Sequence, residues 1–254
     1  MALLEIKGLT KAFGGLLAVS NVDMAIETGE LVGLIGPNGA GKTTIFNLVT
    51  GVFEPTRGEI TFDGCRLNGL KPYQVTKHGI ARTFQNIRLF QNLPVIENVK
   101  IGYHLNAKSS LWASMVRFPI LREEREITQK AREFLSIFEL DYRADELAKN
   151  LPYGEQRRLE IARALAARPK LLLLDEPAAG MNPQETQELL NLIRWVRDQF
   201  SLTILLIEHD MSLVMQLCER IYVLDYGVTI AEGPPAEIKR NPKVIEAYLG
   251  EEAV

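Results

Sequence analysis

Short apolar runs recur along the chain, each ending in glycine or polar residues: Leu31–Ile35, Leu171–Leu174, Thr203–Ile207 and Ile221–Leu224. Runs of four or five with no polar alternation predict strands buried on both faces. Helical signals fall between them, at Ile45–Val49 and from Pro183 to Phe200, where a first-turn proline costs little because its missing N–H has no partner. Apolar strands alternating with helices predict a parallel sheet covered on both sides. Leu4–Ile6 and Ala18–Val22 instead alternate apolar with polar, as half-buried strands do, and Lys11–Gly15 between them reads as a loop carrying one aromatic. Pro55–Gly58 is a turn signal, and Glu59–Phe62 followed by Asp63-Gly64 reads as a strand entering a hairpin. These N-terminal strands are expected to form a small antiparallel sheet. Ile80–Phe84 is a further short strand ending at Gln85, and Val228–Ala231 closes the main sheet around Tyr226-Gly227.

From Pro94 the pattern changes. Val95, Val99 and Tyr103 suggest a helix, followed by the irregular Leu105–Arg117 stretch with Trp112 and Met115. Ile127, Ala131, Phe134, Leu135 and Phe138 then recur at the spacing of an amphipathic helix. Residues 93–168 are therefore expected to be a helical insertion in a core formed by 1–92 and 169–254, the whole 1–254 being one domain.

Composition narrows the classes. A 254-residue chain with 46% hydrophobic and 24% charged residues has the make-up of a globular protein that buries a sizeable core. A net charge of −3 argues against nucleic acid as a partner, because that needs a basic surface. Cys65 and Cys218 lie far apart without metal-ligand spacing, which fits a reducing cytoplasm. No apolar run reaches bilayer length, and the first residues lack the pattern of a secretion signal, so any membrane role is expected to come through partners.

The chemistry concentrates at strand ends. Gly36-Pro-Asn-Gly-Ala-Gly-Lys-Thr-Thr44 joins a buried strand to a helix start. Its three glycines let successive N–H groups turn inward, and the helix N-terminus adds donors and partial positive charge. Gly36, Asn38, Gly39, Ala40, Gly41, Lys42, Thr43 and Thr44 thus read as a cradle for a nucleotide triphosphate, with Lys42 at the phosphates and Thr43 on Mg²⁺. Ligands of parallel sheets bind beyond the carboxyl ends of strands. At those ends stand Gln85, then Asp175 as a Mg²⁺ ligand, Glu176 as the base for an attacking water, and His209 near the γ-phosphate. Phe13 suits either a core position or an adenine-stacking face. Pro152 and Gly154 open another helix, and its Arg157, Arg158, Arg163 and Arg168 read as a solvated face balanced by Glu155 and Glu160 rather than an anion patch.

Taken together, these motifs resemble the ATP-binding cassette family over nearly the whole chain. Its Walker A loop is similar to Gly36–Thr44, its Q-loop glutamine to Gln85, its signature motif to Leu151–Gln156, its Walker B pair to Asp175-Glu176 and its switch histidine to His209. A closer resemblance, to the ATPase subunits of bacterial branched-chain amino acid importers, follows from Gly14–Val19, Arg82–Phe90, Gly154–Ala162, Leu174–Pro183 and Ala247–Gly250. The resemblance implies an α/β P-loop NTPase core of RecA-like type, with an N-terminal antiparallel β-subdomain and an inserted α-helical subdomain. It implies ATP and Mg²⁺ as ligands, with Thr43, Gln85 and Asp175 at the metal. Glu176, His209 and Gln85 become catalytic, and Phe13 and Val19 contact the nucleotide. Pro152, Gly154 and Glu155 would meet a partner's ATP in trans. Two cassettes, usually related but non-identical, would close head to tail and drive two integral membrane permease subunits, fed by a substrate-binding protein outside the membrane. The chain would then sit peripherally on the cytoplasmic face of the inner membrane, and Asn86–Phe90 with the helical insertion would receive the permease.

This sequence departs from the family pattern at three positions. Pro152 stands at the signature serine and offers neither hydroxyl nor N–H. Tyr153 replaces a glycine, and Asn182 replaces the aspartate usual after the Walker B segment. The trans phosphate contact is then expected to rest on the Gly154–Glu155 backbone, with slower turnover at that site. Lipopolysaccharide extraction, uptake of urea, amides or other amino acids, and non-transport cassette roles are the alternatives.

Overall fold

The computed structural model describes residues 2–104 and 117–252, so the segment with Trp112 and Met115 lies outside the described residues. In chain order the elements are β1 (Leu4–Phe13), β2 (Leu16–Ile26), β3 (Leu31–Ile35), α1 (Lys42–Val49), β4 (Arg57–Phe62), β5 (Cys65–Arg66), α2 (Pro72–His78), β6 (Ile80–Arg82) and α3 (Val95–His104). After these come α4 (Arg117–Ile137), α5 (Tyr153–Ala166), β7 (Leu171–Asp175), α6 (Pro183–Phe200), β8 (Thr203–Ile207) and α7 (Met211–Leu217). The chain closes with β9 (Arg220–Asp225), β10 (Val228–Gly233), α8 (Pro235–Ile238) and α9 (Pro242–Glu252).

Two sheets organise them. A four-stranded antiparallel sheet runs β2-β1-β4-β5, and a six-stranded sheet runs β10-β9-β3-β8-β7-β6. The larger sheet is parallel from β9 to β6, with β10 added antiparallel to β9 at one edge.

Its apolar strands are explained by where alternate residues go. Leu31, Ile35, Leu172, Leu174, Ile204, Leu206, Ile221 and Val223 join a core with α3 to α7. Their neighbours Val32, Leu34, Leu171, Leu173, Leu205, Ile207, Tyr222 and Leu224 join a second core under α1 and the small sheet. Each strand therefore removes both its faces from water, and that apolar burial is the main driving force for the layering.

Three expectations change. Lys11, Ala12 and Phe13 belong to β1, leaving Gly14-Gly15 as the hairpin turn. The strand was masked by its polar residues and by register shifts between Ile6 and Ala12, which break the two-residue period. Helix α2 was not anticipated; at seven residues it is too short to show a period, and only Val75 is buried. The third change concerns the arginines of α5. Arg157 and Glu160 are buried and paired at 2.9 Å, not part of a solvated face. Burial also lowers the Arg163 pKa, and its guanidinium lies over the Phe90 ring.

Candidate nucleotide site

Four adjacent strands of the larger sheet, β3, β8, β7 and β6, deliver the predicted residues at their carboxyl ends. Beyond β3 the chain turns through Gly36, Gly39 and Gly41, with φ of 147°, 78° and 101°, into α1. No side chain caps α1. Its first N–H groups and partial positive charge are therefore offered to an anion. Lys42 is buried inside the arch, where Nζ donates to Gly36 O at 2.6 Å and Pro37 O at 2.8 Å.

Asp175 and Glu176 end β7. Asp175 is buried, with Oδ2 paired at 2.7 Å to Arg82 Nη2, while Arg82 Nη1 donates to Asn47 Oδ1 at 2.7 Å. Arg82 thereby fixes one carboxylate oxygen and leaves the second to a ligand. Sequence reading gave Arg82 no role, because its strand-end pairing with Asp175 exists only once β6 and β7 are in register. Glu176 adopts a left-handed backbone, φ 46°, which redirects the chain at the strand end. Such strain in a non-glycine residue is held only by its surroundings. Here Glu176 N donates to Ile207 O at 2.9 Å.

The Glu176 carboxylate has two partners. Gln85 Nε2 donates to Oε2 at 2.7 Å, and His209 Nε2 contacts Oε1 at 2.6 Å. Of the three residues assigned catalysis, Gln85 and His209 thus both touch Glu176. All three line one cleft of about 470 Å³ with Phe13, Leu16, Ala18, Asn38, Gly39, Ala40, Gly41, Lys42, Thr43 and Thr44. Val19 does not line it. That side chain is fully buried in the core behind the loop, against the position of Gly41, and Leu16 and Ala18 face the cleft instead. Phe13 is 40% exposed at the cleft, edge-on to Phe53 at 5.2 Å with Lys11 Nζ 4.9 Å from its ring centre. An exposed aromatic face at that place suits stacking rather than core packing.

Pro152, Gly154 and Glu155 line a separate cleft with Arg158, Met181, Glu185, Glu188 and Leu189. Pro152 is the N-cap of α5 and supplies no side-chain cap. The Glu155 carboxylate is taken up within the chain, by Arg143 Nε at 2.7 Å and the Tyr142 hydroxyl at 2.9 Å. Its backbone is what remains to face a ligand. Asn182 caps α6, accepting from Glu185 N at 3.0 Å while Glu185 Oε2 accepts from Asn182 N at 3.0 Å. This reciprocal box makes Asn182 the start signal of α6.

Sequence reading also gave Glu208, beside His209, no role. It accepts from Ala178 N at 2.9 Å, and burial raises its carboxyl pKa, with the Ala178 and His209 N–H groups opposing. A raised folded-state pKa means the native state binds the proton more tightly. Stability from this group therefore falls as pH rises from the ordinary carboxylate range through the raised value. Denaturant midpoints from about pH 4 to 8 should show Glu208→Gln gaining on the wild type as pH increases. A difference that is flat or narrows with pH would refute this.

Comparison with known proteins agrees with the geometry. The ABC transporter family matches residues 19–179, and a branched-chain amino acid ATP-binding cassette transporter family matches residues 228–254. The high-affinity branched-chain amino acid transport ATP-binding protein LivG of Salmonella typhimurium is 49% identical over 98% of both chains. BraF of Pseudomonas aeruginosa, of the same description, is 46% identical over 98% of both. The lipopolysaccharide export system ATP-binding protein LptB of Escherichia coli is 36% identical over 99% of both. Among solved structures, an ATP-binding cassette of an ABC transporter in its ADP conformation superimposes with a TM-score of 0.85 at 30% identity, covering 98% of this chain and 99% of that one. A nucleotide-free cassette gives 0.84 at 32%. The phosphate cradle, the strand-end carboxylates and these likenesses lead to one conclusion: the chain belongs to the ABC transporter family, as an ATP-hydrolysing cassette.

Proposed function

We propose that this cassette powers import of the branched-chain amino acids leucine, isoleucine and valine. The observation that carries the proposal is the 49% identity to LivG over 98% of both chains, reinforced by the separate family match at residues 228–254. No helix among the described residues is long and apolar enough to cross a membrane. Transport would therefore need integral membrane permease subunits, with the cassette bound peripherally to their cytoplasmic side and a substrate-binding protein outside. Asn86–Phe90 and the helices α3 to α5 offer the permease a docking surface on which Phe90 is exposed.

In this reading ATP lies on the Gly36–Thr44 loop with adenine against Phe13. Lys42 and the α1 N–H groups neutralise phosphate charge, and Glu176 takes a proton from the attacking water. His209 and Gln85, at 2.6 and 2.7 Å, hold that carboxylate in place. Mg²⁺ fits the donors present. No group of three or more His, Cys, Asp or Glu able to hold a metal occurs among the described residues. The Thr43 hydroxyl, Gln85 amide oxygen and Asp175 carboxylate would hold Mg²⁺, hard oxygen donors of the kind that share the ion with substrate phosphates. When bound, the ion would offset the charge developing on those phosphates.

A second cassette, related or identical, would close the site by presenting its own signature helix. Because Pro152 has no hydroxyl, turnover at the site it completes is expected to rise in a Pro152→Ser variant. Unchanged hydrolysis would dismiss that idea. The transport role is tested by uptake of labelled leucine in a strain lacking the gene. Uptake equal to the parent strain's would overturn the substrate. Lipopolysaccharide accumulation in that strain would favour the alternative suggested by the 36% identity to LptB.

A further inference from the structure

Arg157 has no solvent exposure; its two terminal nitrogens join residues of α5 to the backbone leading into the nucleotide cleft, while Nε has no hydrogen-bond partner. Nη1 donates to Phe84 O at 2.7 Å and Glu160 Oε2 at 2.9 Å. Nη2 donates to Gln85 O at 2.8 Å and to the Tyr153 hydroxyl at 3.2 Å. Glu160, also buried, accepts from Arg88 N at 3.1 Å through its other oxygen. Thr83 N still donates to Leu173 O at 2.9 Å, so the chain is tied to β7 up to that residue. Beyond it, side chains of α5 take over and grip the backbone at residues 84, 85 and 88.

A buried ion pair of this kind adds little net stability compared with apolar residues of equal volume. What it adds is direction. The guanidinium is a rigid fork that can hold two successive carbonyls at once, which an ammonium cannot. The held residue, Gln85, is the one whose side chain reaches Glu176 at 2.7 Å.

We infer that Arg157, seated by Glu160, is a positioning residue that locks α5 to the Gln85 segment, so that rotation of α5 carries Gln85 toward or away from Glu176. Pro152, the N-cap of α5, and Gly154 and Glu155 in its first turn are the residues proposed to meet a partner's nucleotide, and Tyr153 lies between them. Tyr153 is joined to the lock, its hydroxyl accepting from Arg157 and donating to Ala179 O at 2.9 Å, just past the Glu176 turn. Engagement of α5 in one composite site is thereby transmitted to the carboxylate of the other. The inference rests on the roles proposed above for Gln85 and Glu176.

A double-mutant cycle on ATP hydrolysis by the assembled cassettes tests it. Arg157→Lys keeps a positive charge opposite Glu160 but loses the fork. It should lower kcat about 10–100-fold through misplacement of Gln85. Affinity for a fluorescent ATP analogue should stay within about twofold. Introduced into Gln85→Ala, the same substitution should cause no further loss of kcat, because the two act in series. An equal fold loss in both backgrounds would overturn the link and leave Arg157 a packing residue. Wild-type turnover in Gln85→Ala alone is a separate failure, one that removes the proposed role of Gln85 itself and with it anything for Arg157 to transmit. The Arg157→Met, Glu160→Met pair removes both charges at similar volume and guards against misfolding. Wild-type kcat in that folded variant would also overturn the inference.

Discussion

Glu176→Gln is expected to lower ATP turnover by about 10²–10⁴-fold, the usual cost of removing a general base. The substitution preserves shape and one acceptor oxygen, so the contact from Gln85 Nε2 at 2.7 Å can persist. What it removes is the ability to take a proton from water. His209 cannot supply the lost function from where it stands, since Nε2 is directed at Glu176 Oε1 at 2.6 Å. Nucleotide binding should survive, because the phosphate loop and Lys42 are untouched. Phosphate release at saturating ATP, paired with equilibrium binding of a fluorescent nucleotide, separates the two effects. Near-normal turnover would remove Glu176 from the chemistry, and lost binding would show that it supports the cradle instead.

Gly36→Ala is expected to abolish nucleotide binding by a different route. A Cβ on Gly36 would overlap Leu224 O, a backbone atom of β9 that cannot swing aside. The φ of 147° is also one that L side chains rarely adopt. Relief requires the loop to lift off β9, which spoils the arch that holds Lys42 against Gly36 O. The cost to stability should exceed about 3 kcal/mol, in the tail reserved for overpacking combined with backbone strain. Denaturant unfolding and nucleotide binding of this variant check both parts. Gly39→Ala is the control, since a Cβ there meets nothing within 4 Å, although its φ of 78° still imposes strain. It should lose clearly less stability, and equal losses would show that the collision with β9 is not the cause.

Much of this was legible from local signals. The strands at Leu171 and Thr203 announced themselves because consecutive leucines and isoleucines suit burial on both faces. Pro183–Phe200 carried its own start signal, which the Asn182–Glu185 box in the structure explains. The phosphate loop was visible because its geometry depends on residues adjacent in sequence. What stayed hidden depends on residues far apart. Besides its local partner Glu160, buried Arg157 relies on Phe84 O and Gln85 O, 73 and 72 positions away. Arg82 and Asp175 meet across 93 positions. Val19 illustrates the reverse error: a residue next to cleft-lining Ala18 points to the opposite face of its strand and is buried.

The position of β3 has a consequence for how the protein comes into being. The strand that launches the phosphate loop is flanked in its sheet by β8 and β9, both drawn from residues 203–225. A chain emerging from the ribosome would thus display the whole Gly36–Thr44 motif long before it could form an ATP site. Leu31 to Ile35 must wait with both edges unpaired, a non-local closure that is slow and exposed to misassociation. Nascent chains halted before residue 203 should therefore fail to retain ATP, and capture of nucleotide would report that synthesis has passed β9.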